Sequence, residues 1–513
     1  MDVPQPGSRW RGLVAGVAVT AVALGVAELA AGLLAGAASP VVAVGDAVVD
    51  RVPAWLKNLA IAVFGVNDKV ALLVGIAVVS AAAGGAAGAV ARRRPWVPVV
   101  LLVAAGGIGV AAASQDPQAT AVSSAIAVGA GVVAGLAALA TLLRGDRGAS
   151  PAADDHPPVS RRRFLAGVTA AVGLAAAFAV AGRALTTASA AARSRLGLVI
   201  PRPRRPAPAL PAGADLEIAG ADPFTTPTTD FYRIDTALSV PRVDVATWRL
   251  RVTGMVNRPL ELTFDELVGR GLTEHWTTLC CVSNEVGGRL IGNALWGGVP
   301  LREVLDLAGV HVGASQIVGR SVDGWTAGFP TEVAYDGRTA LIAVTMNGEP
   351  LPTEHGFPAR LVVPGLYGYV SATKWLSEIE LTTVDAFDAY WVPRGWAKQA
   401  PVKTQSRIDV PRAGRVVSGR VVVAGVAWAQ QRGVERVEVQ VDDGPWHEAR
   451  LAAVPHVDTW RQWVWEWDAE PGSHVLQVRA TDGDGEVQTA QRSPVMPDGA
   501  TGYHRVLVQV QQA

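Results

Sequence analysis

The stretch TTLCCVSNEVGGRLIGNALWGGVPL (residues 277–301) contains both cysteines of the 513-residue chain. Its pattern predicts a strand that delivers the Cys281 thiol to a glycine-containing loop. Because Cys280 and Cys281 are adjacent, they cannot link distant segments, which excludes a disulfide scaffold and every CxxC zinc or redox motif. A thiolate at this place can be a nucleophile, a metal ligand or an inert core residue.

A metal at this thiol would need donors from elsewhere. Soft thiolate sulfur favours soft or high-valent thiophilic metals. One or two cysteines without a local histidine cluster cannot build a tetrahedral zinc site. The missing donors would therefore have to come from a cofactor.

Three blocks of sequence, taken in their order along the chain, resemble the motifs of a known protein family. They are LIGNALWGGVPL (290–301), MNGEPLP (346–352) followed by HGFPARLVVPG (355–365), and KWL (374–376). With Cys281 they resemble the sulfite oxidase family of molybdenum enzymes over about residues 220–513. GYHRV (502–506) looks like the end of that family's dimerisation domain, and the apolar N-terminal part resembles a membrane-anchored, actinobacterial-type branch.

The resemblance implies a molybdenum-molybdopterin cofactor. In the family, one molybdopterin supplies two sulfurs to the metal and the protein supplies one cysteine, which Cys281 matches as the metal ligand and catalytic residue. Cys280 would point to the opposite face and into the core. The pterin carries a phosphate and polar ring atoms, so its site needs cations and hydroxyls. By resemblance, the cofactor-binding residues are Thr229, Tyr232, Arg233, Ser321, His355, Arg360, Ala372, Thr373 and Lys374.

Two departures from the family pattern concern the substrate. Asn284 is kept, but Glu285 and Val286 stand where sulfite oxidases have arginines, and a carboxylate near the metal would repel sulfite. Trp325 stands where the family has a tyrosine, so we expect no phenol there to move protons. Both changes weigh against sulfite as the substrate.

Composition places part of the chain in a membrane. Hydrophobic residues make up 50% of the sequence, and 45 Lys+Arg balance 45 Asp+Glu, which disfavours a nucleic-acid binder. The mean hydropathy of +0.27 is high for a wholly soluble protein. Five apolar runs are long enough to span a bilayer: about 12–38, 69–91, 96–114, 120–143 and 164–182.

The arginines that flank these runs predict the orientation. They lie on one side if the N-terminus is cytoplasmic, so five spans would put the rest of the chain on the outer face. Residues 160–165 (SRRRFL) match a twin-arginine export signal, or are only a cytoplasmic flank for the fifth helix. The apolar piece 54–66 is interpreted as interfacial or re-entrant.

The membrane region itself is predicted to act as an anchor. Glu28 lies in the middle of the first span and would serve a proton or quinone role, or a helix–helix hydrogen bond. The predicted spans contain no histidine, so we expect no haem there. An iron–sulfur cluster is not expected either, because the cysteines that would hold one are missing.

The chain is thus divided into four parts. Residues 1–183 form the α-helical membrane region, 184–215 a Pro/Ala/Arg-rich spacer, 216–385 an α+β molybdopterin domain, and 390–513 an immunoglobulin-like β-sandwich of the family's dimerisation type. The α+β prediction rests on short strand-like runs mixed with helical pieces, whereas the last part contains strands alone.

The sequence predicts a membrane-anchored molybdopterin oxidoreductase that transfers an oxygen atom to or from a small S- or N-centred substrate. Its electrons would pass to a separate cytochrome or quinol system, and its C-terminal domain would form a homodimer. Reduction of an S-oxide, such as methionine sulfoxide, is an alternative within the family. A non-catalytic cell-surface module and a transporter are the rivals from other classes.

Overall fold

The computed structural model describes residues 7–34, 36–53, 56, 59, 63–64, 68–91, 93–144, 161–187, 195 and 197–512. The chain forms two compact units, residues 1–193 with 237–240, and residues 194–236 with 241–513. Ser160 of the twin-arginine-like segment, most of the apolar piece 54–66, and residues 188–194 and 196 of the spacer lie outside the described residues.

The described part of the first unit is helical. Its helices are α1 (Gly7–Leu33), α2 (Pro40–Arg51), α3 (Asp68–Val90), α4 (Trp96–Ala113), α5 (Ala121–Arg144) and α6 (Arg161–Thr187). Five of them are long and apolar enough to cross a membrane, because 18 or more helical residues span about 27 Å. The predicted number of apolar helices is confirmed.

Helix α1 packs against α3, α5 and α6 through small residues. A Cβ atom added to Gly16 would lie 2.0 Å from the carbonyl oxygen of Gly84, so the two backbones touch there, as is common between membrane helices. Glu28 is buried, and its carboxylate accepts a hydrogen bond of 2.6 Å from the hydroxyl of Ser39, the N-cap of α2. This contact supports the helix–helix interpretation of Glu28.

The second unit begins with two sheets that form the α+β part. The first has the strand order β2-β1-β10-β5-β6, and the second has the order β3-β4-β7-β8 with β9 paired to β7. The strands are β1 (Arg249–Gly254), β2 (Leu260–Thr263), β3 (Thr273–Cys280), β4 (Ile291–Pro300), β5 (Gln316–Ser321), β6 (Thr326–Pro330), β7 (Leu341–Met346), β8 (Glu349–Pro350), β9 (Arg360–Val362) and β10 (Leu376–Thr382). The pairing of β1 with β10 is parallel and joins the two ends of the domain.

Three short helices connect these strands: α7 (Phe264–Val268), α8 (Leu301–Ala308) and α9 (Gly368–Ser371). Helix α7 begins at a capping box in which Thr263 and Glu266 satisfy each other's backbone amides. Helix α8 buries residues 301, 304, 305 and 308, the spacing of one helical face, and ends at Gly309 with a φ of 68°. These local signals explain why a helix forms at each of the two places.

A short 3-10 helix (Val392–Arg394) follows β10, and from Gln405 onward the regular elements of the described chain are strands. They are β11 (Gln405–Val410), β12 (Gly414–Val417), β13 (Gly419–Trp428), β14 (Val434–Val441), β15 (Trp446–Glu448), β16 (Arg450–Leu451), β17 (Arg461–Ala469), β18 (Gly472–Asp482) and β19 (His504–Gln511). They form one sheet in the order β11-β13-β17-β16 and another in the order β12-β19-β18-β14-β15. Trp463 of the first sheet and Val478 of the second belong to one hydrophobic cluster, so the two sheets enclose a common core.

The spacer prediction is corrected for its described C-terminal part. Arg204 and Arg205 donate backbone hydrogen bonds to the carbonyl of Leu272, and Ala214 lies in the main core of the second unit. These contacts hold the segment against the domain, although its proline-rich composition is typical of an extended spacer. Residues 197–215 therefore belong to the second unit and do not form a free spacer.

Candidate cofactor site

An open cleft of about 800 Å³ lies in the second unit, beside the end of β3. Seven of the residues predicted from the sequence line it: Tyr232, Cys281, Ser321, His355, Arg360, Ala372 and Lys374. They come from segments that are up to 142 positions apart in the chain, from 232 to 374. The fold therefore gathers one thiol, several cations and hydroxyls around one space.

Cys281 is the first residue after β3 and is held by backbone contacts. Its amide donates to the carbonyl of Leu290 at 2.9 Å, and its carbonyl accepts from Asn284 at 3.0 Å. Burial raises the pKa of the Cys281 thiol, against hydrogen bonds from Ser283 that lower it. A metal ion would have to displace that proton, because the thiolate is the ligand form.

Cys280 takes the opposite side of the strand, as alternation predicts. It is 2% exposed and packs in the main hydrophobic core. Burial raises the pKa of its thiol well above the usual value. Of the two cysteines, Cys281 alone lines the cleft.

Two buried cations stand in the cleft wall. Arg360 is 6% exposed, lies 5.0 Å from the ring centre of Trp296, and has its pKa lowered to about 10 by burial. Lys374 donates to the Asp235 carboxylate at 2.7 Å. Burial lowers the pKa of Lys374 to about 8, although Asp235 acts in the opposite direction. Both positions suit a bound anion better than an apolar ligand.

His355 is neutral near pH 7. Burial, with the charges of Arg360 and Lys374, lowers its pKa to about 4. Its Nε2 lies 3.3 Å from the carbonyl oxygen of Thr228, so Nε2 carries the hydrogen and Nδ1 is left as an acceptor. This histidine can accept a hydrogen bond from a polar ligand.

Three predicted contacts do not line the cleft. Thr229 is exposed and its hydroxyl donates to Asp230. The Thr373 hydroxyl donates to the carbonyl of Gly319, away from the cleft. Arg233 is exposed and reaches the site only through Asp235, whose Oδ2 it shares with Lys374. Motifs give the order of such positions along the chain, but they do not show which neighbouring side chain points into the cleft.

One of the two departures from the family pattern needs correction. Glu285 is exposed and does not line the cleft, so it does not place a carboxylate beside the thiol. Trp325 does line the cleft, so no phenol stands at that position. Two phenols reach the cleft from other positions, Tyr232, which the sequence named as a cofactor contact, and Tyr369.

Sequence reasoning missed several lining residues, including Asp235, Asp323, Tyr369 and Trp391. Burial raises the pKa of Asp323, and the Trp325 amide donates to its carboxylate at 3.1 Å. Asp235 lies two positions after Arg233, which the sequence named as a cofactor contact, so this proximity was the available signal. The other three carry no motif and meet only in the folded chain.

The residues present fit a pyranopterin with a phosphate. A thiol offers a metal ligand, Arg360 and Lys374 offer charge for the phosphate, and the buried Ser321 hydroxyl has no hydrogen-bond partner among the described residues. An orphaned hydroxyl in a cleft wall is a natural contact for a polar ligand.

Comparison with known proteins supports the assignment of this cleft to a molybdopterin cofactor. Residues 237–391 match the model of the oxidoreductase molybdopterin binding domain. Sulfite oxidase of Gallus gallus is 30% identical over 328 residues, which cover 54% of this chain and 70% of that protein. The chain belongs to the sulfite oxidase family. Its residues 237–391 form an oxidoreductase-type molybdopterin binding domain, so its cofactor is molybdenum-molybdopterin.

Two further comparisons show the extent of the likeness. Mitochondrial sulfite oxidase of Mus musculus is 30% identical over 340 residues, covering 56% of this chain and 62% of that protein. The chain thus spans less than two thirds of the mammalian enzyme's length. The sulfane dehydrogenase SoxCD from Paracoccus pantotrophus has a structure with a TM-score of 0.49 and 25% identity, covering 56% of this chain and 84% of that chain.

Proposed function

We propose that this family member is a membrane-anchored enzyme that transfers an oxygen atom to or from a small S- or N-centred substrate on the outer face of the membrane. The observation that carries the proposal is the cleft in which Cys281 meets Arg360, His355 and Lys374. A vestigial pocket has little reason to keep a thiol and buried cations together, which argues against a non-catalytic surface module.

The protein's part in catalysis is to hold the cofactor and to orient it. When bound, molybdenum-molybdopterin supplies the two-electron redox chemistry. The Cys281 Sγ would hold the metal, and the Lys374 ammonium and Arg360 guanidinium would bind the phosphate. His355, neutral and fixed by the Thr228 carbonyl, would accept a hydrogen bond at Nδ1 from the pterin.

A proton carrier is also available. Oxygen-atom transfer consumes or releases two protons for each water, so an acid–base group near the substrate is useful. The Asp323 carboxyl lines the cleft, and burial raises its pKa. We assign the proton transfer to this carboxyl rather than to a phenol at the position of Trp325.

Reduction of an S-oxide is the second candidate, and one feature favours it. Trp325, Tyr369 and Trp391 line the cleft, and aromatic side chains bind apolar groups next to a polar centre. A neutral organic S-oxide would use such walls, whereas sulfite would not.

The membrane role rests on the five apolar helices. The arginines that flank them support a cytoplasmic N-terminus and therefore an outer catalytic unit. We further assign the paired C-terminal sheets to an immunoglobulin-like domain that supports a homodimer, and the electron exchange to a separate cytochrome or quinol system. The cell membrane is thus the proposed location.

Two assays on the purified full chain, loaded with molybdenum, test the proposed reaction. One measures sulfite-dependent reduction of ferricyanide, and the other measures methionine sulfoxide-dependent oxidation of a reduced viologen dye. We expect turnover in one of them, lost in a Ser321→Ala variant by a larger factor than in Thr229→Ala, because only Ser321 lines the cleft. Turnover in neither assay, with molybdenum fully bound, would contradict oxygen-atom transfer to these substrate classes.

Orientation is tested separately with alkaline phosphatase fused after the last residue. The reporter is active only outside the cytoplasm, so activity is the expected result. An inactive fusion that is present in the membrane at normal amounts would overturn the outer-face assignment.

A further inference from the structure

A second group of metal-ligating side chains lies outside the cofactor cleft. His275, on β3, donates from Nε2 to Oδ2 of Asp458 at 2.8 Å. Nδ1 of His456 lies 3.3 Å from the same oxygen. One ligand atom from each of the three residues lies within 4.8 Å of the others. None of them lines the cleft that contains Cys281.

The Asp458 carboxylate is buried and its orientation is fixed by neighbouring groups. Its other oxygen, Oδ1, accepts from the amide of Gln431 at 3.0 Å and from the Gln431 side chain at 2.6 Å. These contacts fix the carboxylate and leave Oδ2 for the two imidazoles, as second-shell partners do in metal sites.

A neutral imidazole donates to a carboxylate oxygen without any other cation, and Nδ1 of His456 also accepts from the Asp458 amide at 3.2 Å. A metal ion bound here would replace the Nε2 proton of His275 and take the Nδ1 lone pair of His456. Zinc binds imidazole nitrogen and carboxylate oxygen at about 2.0–2.2 Å, so tetrahedral ligands lie about 3.3–3.5 Å apart. The distance of 3.3 Å from His456 to Asp458 already has this value. The 2.8 Å contact of His275 is a hydrogen bond, and it would open by about 0.5 Å when a metal ion replaced the proton.

We propose that His275, His456 and Asp458 bind a zinc ion. Two imidazoles and a carboxylate form a ligand set typical of zinc sites that keep one open position. On binding, the proton shared by His275 and Asp458 would pass to solvent, and no electron would be transferred. Zinc here would tie β3, which leads to the molybdenum ligand Cys281, to the segment between β16 and β17.

The fourth position has room for water. An open cleft of about 430 Å³ lies beside His456, which is 44% exposed in its side chain. Glu435 lines this cleft together with Arg432 and Arg461, and Arg432 is paired with Asp482. Arg461 donates to the carbonyls of Ala452 and Val434. The cleft is open to solvent, so water would supply the fourth ligand.

The test uses the full chain with molybdenum bound, treated with a chelator and then dialysed against zinc. We expect about one zinc ion per chain at this site, with unchanged molybdenum. His456→Ala should lower the retained zinc by about tenfold or more. His311→Ala, which removes an exposed histidine elsewhere, should retain as much as the wild type.

Two further observables separate binding from adventitious zinc. Cobalt in place of zinc should give the visible absorption of a tetrahedral site in the wild type and in His311→Ala, but not in His456→Ala. Zinc should raise the unfolding temperature of the same two proteins only. Wild-type protein without retained zinc, or equal zinc in wild type and His456→Ala, would overturn the proposal, while the molybdenum content reports on the cofactor site independently.

Discussion

The loop that follows Cys281 depends on a buried arginine from the C-terminal sheets, and its removal gives a sharp prediction. Arg407 donates to Asp409 at 2.6 Å, to Asp222 at 2.6 Å and to the carbonyl of Gly288 at 2.9 Å. The whole residue is 1% exposed. Replacing it in an Arg407→Met variant keeps most of the side-chain volume and removes the charge and all three donors.

The loss of stability in Arg407→Met follows from the acidic partner that remains in the protein. The side chain of Asp409 is 1% exposed, so removing Arg407 would leave its carboxyl group buried without its guanidinium partner. Breaking a buried ion pair in this way costs about 3–5 kcal/mol. Arg420 offers a matched control, because its pair with Glu466 has exposed fractions of 73% and 52%. An exposed pair of this kind contributes less than about 1 kcal/mol.

Thermal unfolding of the full chain, followed by tryptophan fluorescence, measures the difference. A large domain shifts its unfolding temperature by about 2 °C per kcal/mol, so Arg407→Met should lower it by about 6–10 °C and Arg420→Met by less than about 2 °C. A double variant, Arg407→Met with Asp409→Leu, should recover part of the loss because the fully buried carboxyl group that lost its partner is removed as well. Equal shifts of the unfolding temperature in the two single variants would refute the stabilising role of the buried Arg407 ion pair.

Three further predictions concern single positions. Gly287→Ala should destabilise the protein by about 1–3 kcal/mol more than Gly337→Ala, as measured by the two unfolding temperatures. Both glycines have a positive φ, but a Cβ at Gly287 would lie 2.2 Å from the His504 ring, whereas a Cβ at Gly337 would meet open space. Burial, with Arg407 and Arg492, lowers the pKa of His504 to about 4. The unfolded chain therefore binds more protons than the folded chain between about pH 6.5 and 4. His504 should make the free energy of unfolding fall by up to about 1.4 kcal/mol for each pH unit of acidification in that range. Unfolding measured across the same range should show that His504→Gln lacks this contribution. Lys374→Met should lower the molybdopterin content, measured as the fluorescence of the oxidised pterin, whereas Lys398→Met should not, because Lys398 pairs with the exposed Asp388 outside the cleft.

Much of the fold could be predicted because its signals are local. Apolar runs of fixed length gave the five long helices, and alternation gave strands such as β19, in which residues 506, 508 and 510 are buried and their neighbours are not. The parallel pairing of β1 with β10 joins residues 251 and 378, and no local pattern encodes such a contact. Helix α2 was missed because its 12 residues lie in a loop with mixed polarity.

The site was predictable in its type but only partly in its members. Cys281 and the His355 and Arg360 block came from motif order. Whether a polar residue points into a cleft depends on the backbone around it, which is why Thr229 lies outside and Tyr369 inside. The immunoglobulin-like assignment, the export signal and the redox partner stay predictions.

The central claim is that Cys281 holds molybdenum in this cleft. The most direct test compares the molybdenum content and electronic spectrum of the wild type with those of Cys281→Ser and of Cys280→Ser, its neighbour in the core. The account predicts that Cys281→Ser alone changes the spectrum at the metal and abolishes turnover, while Cys280→Ser keeps the wild-type spectrum. A wild-type spectrum in Cys281→Ser, or a folded wild-type protein that takes up no molybdenum in a molybdenum-replete host, would contradict it.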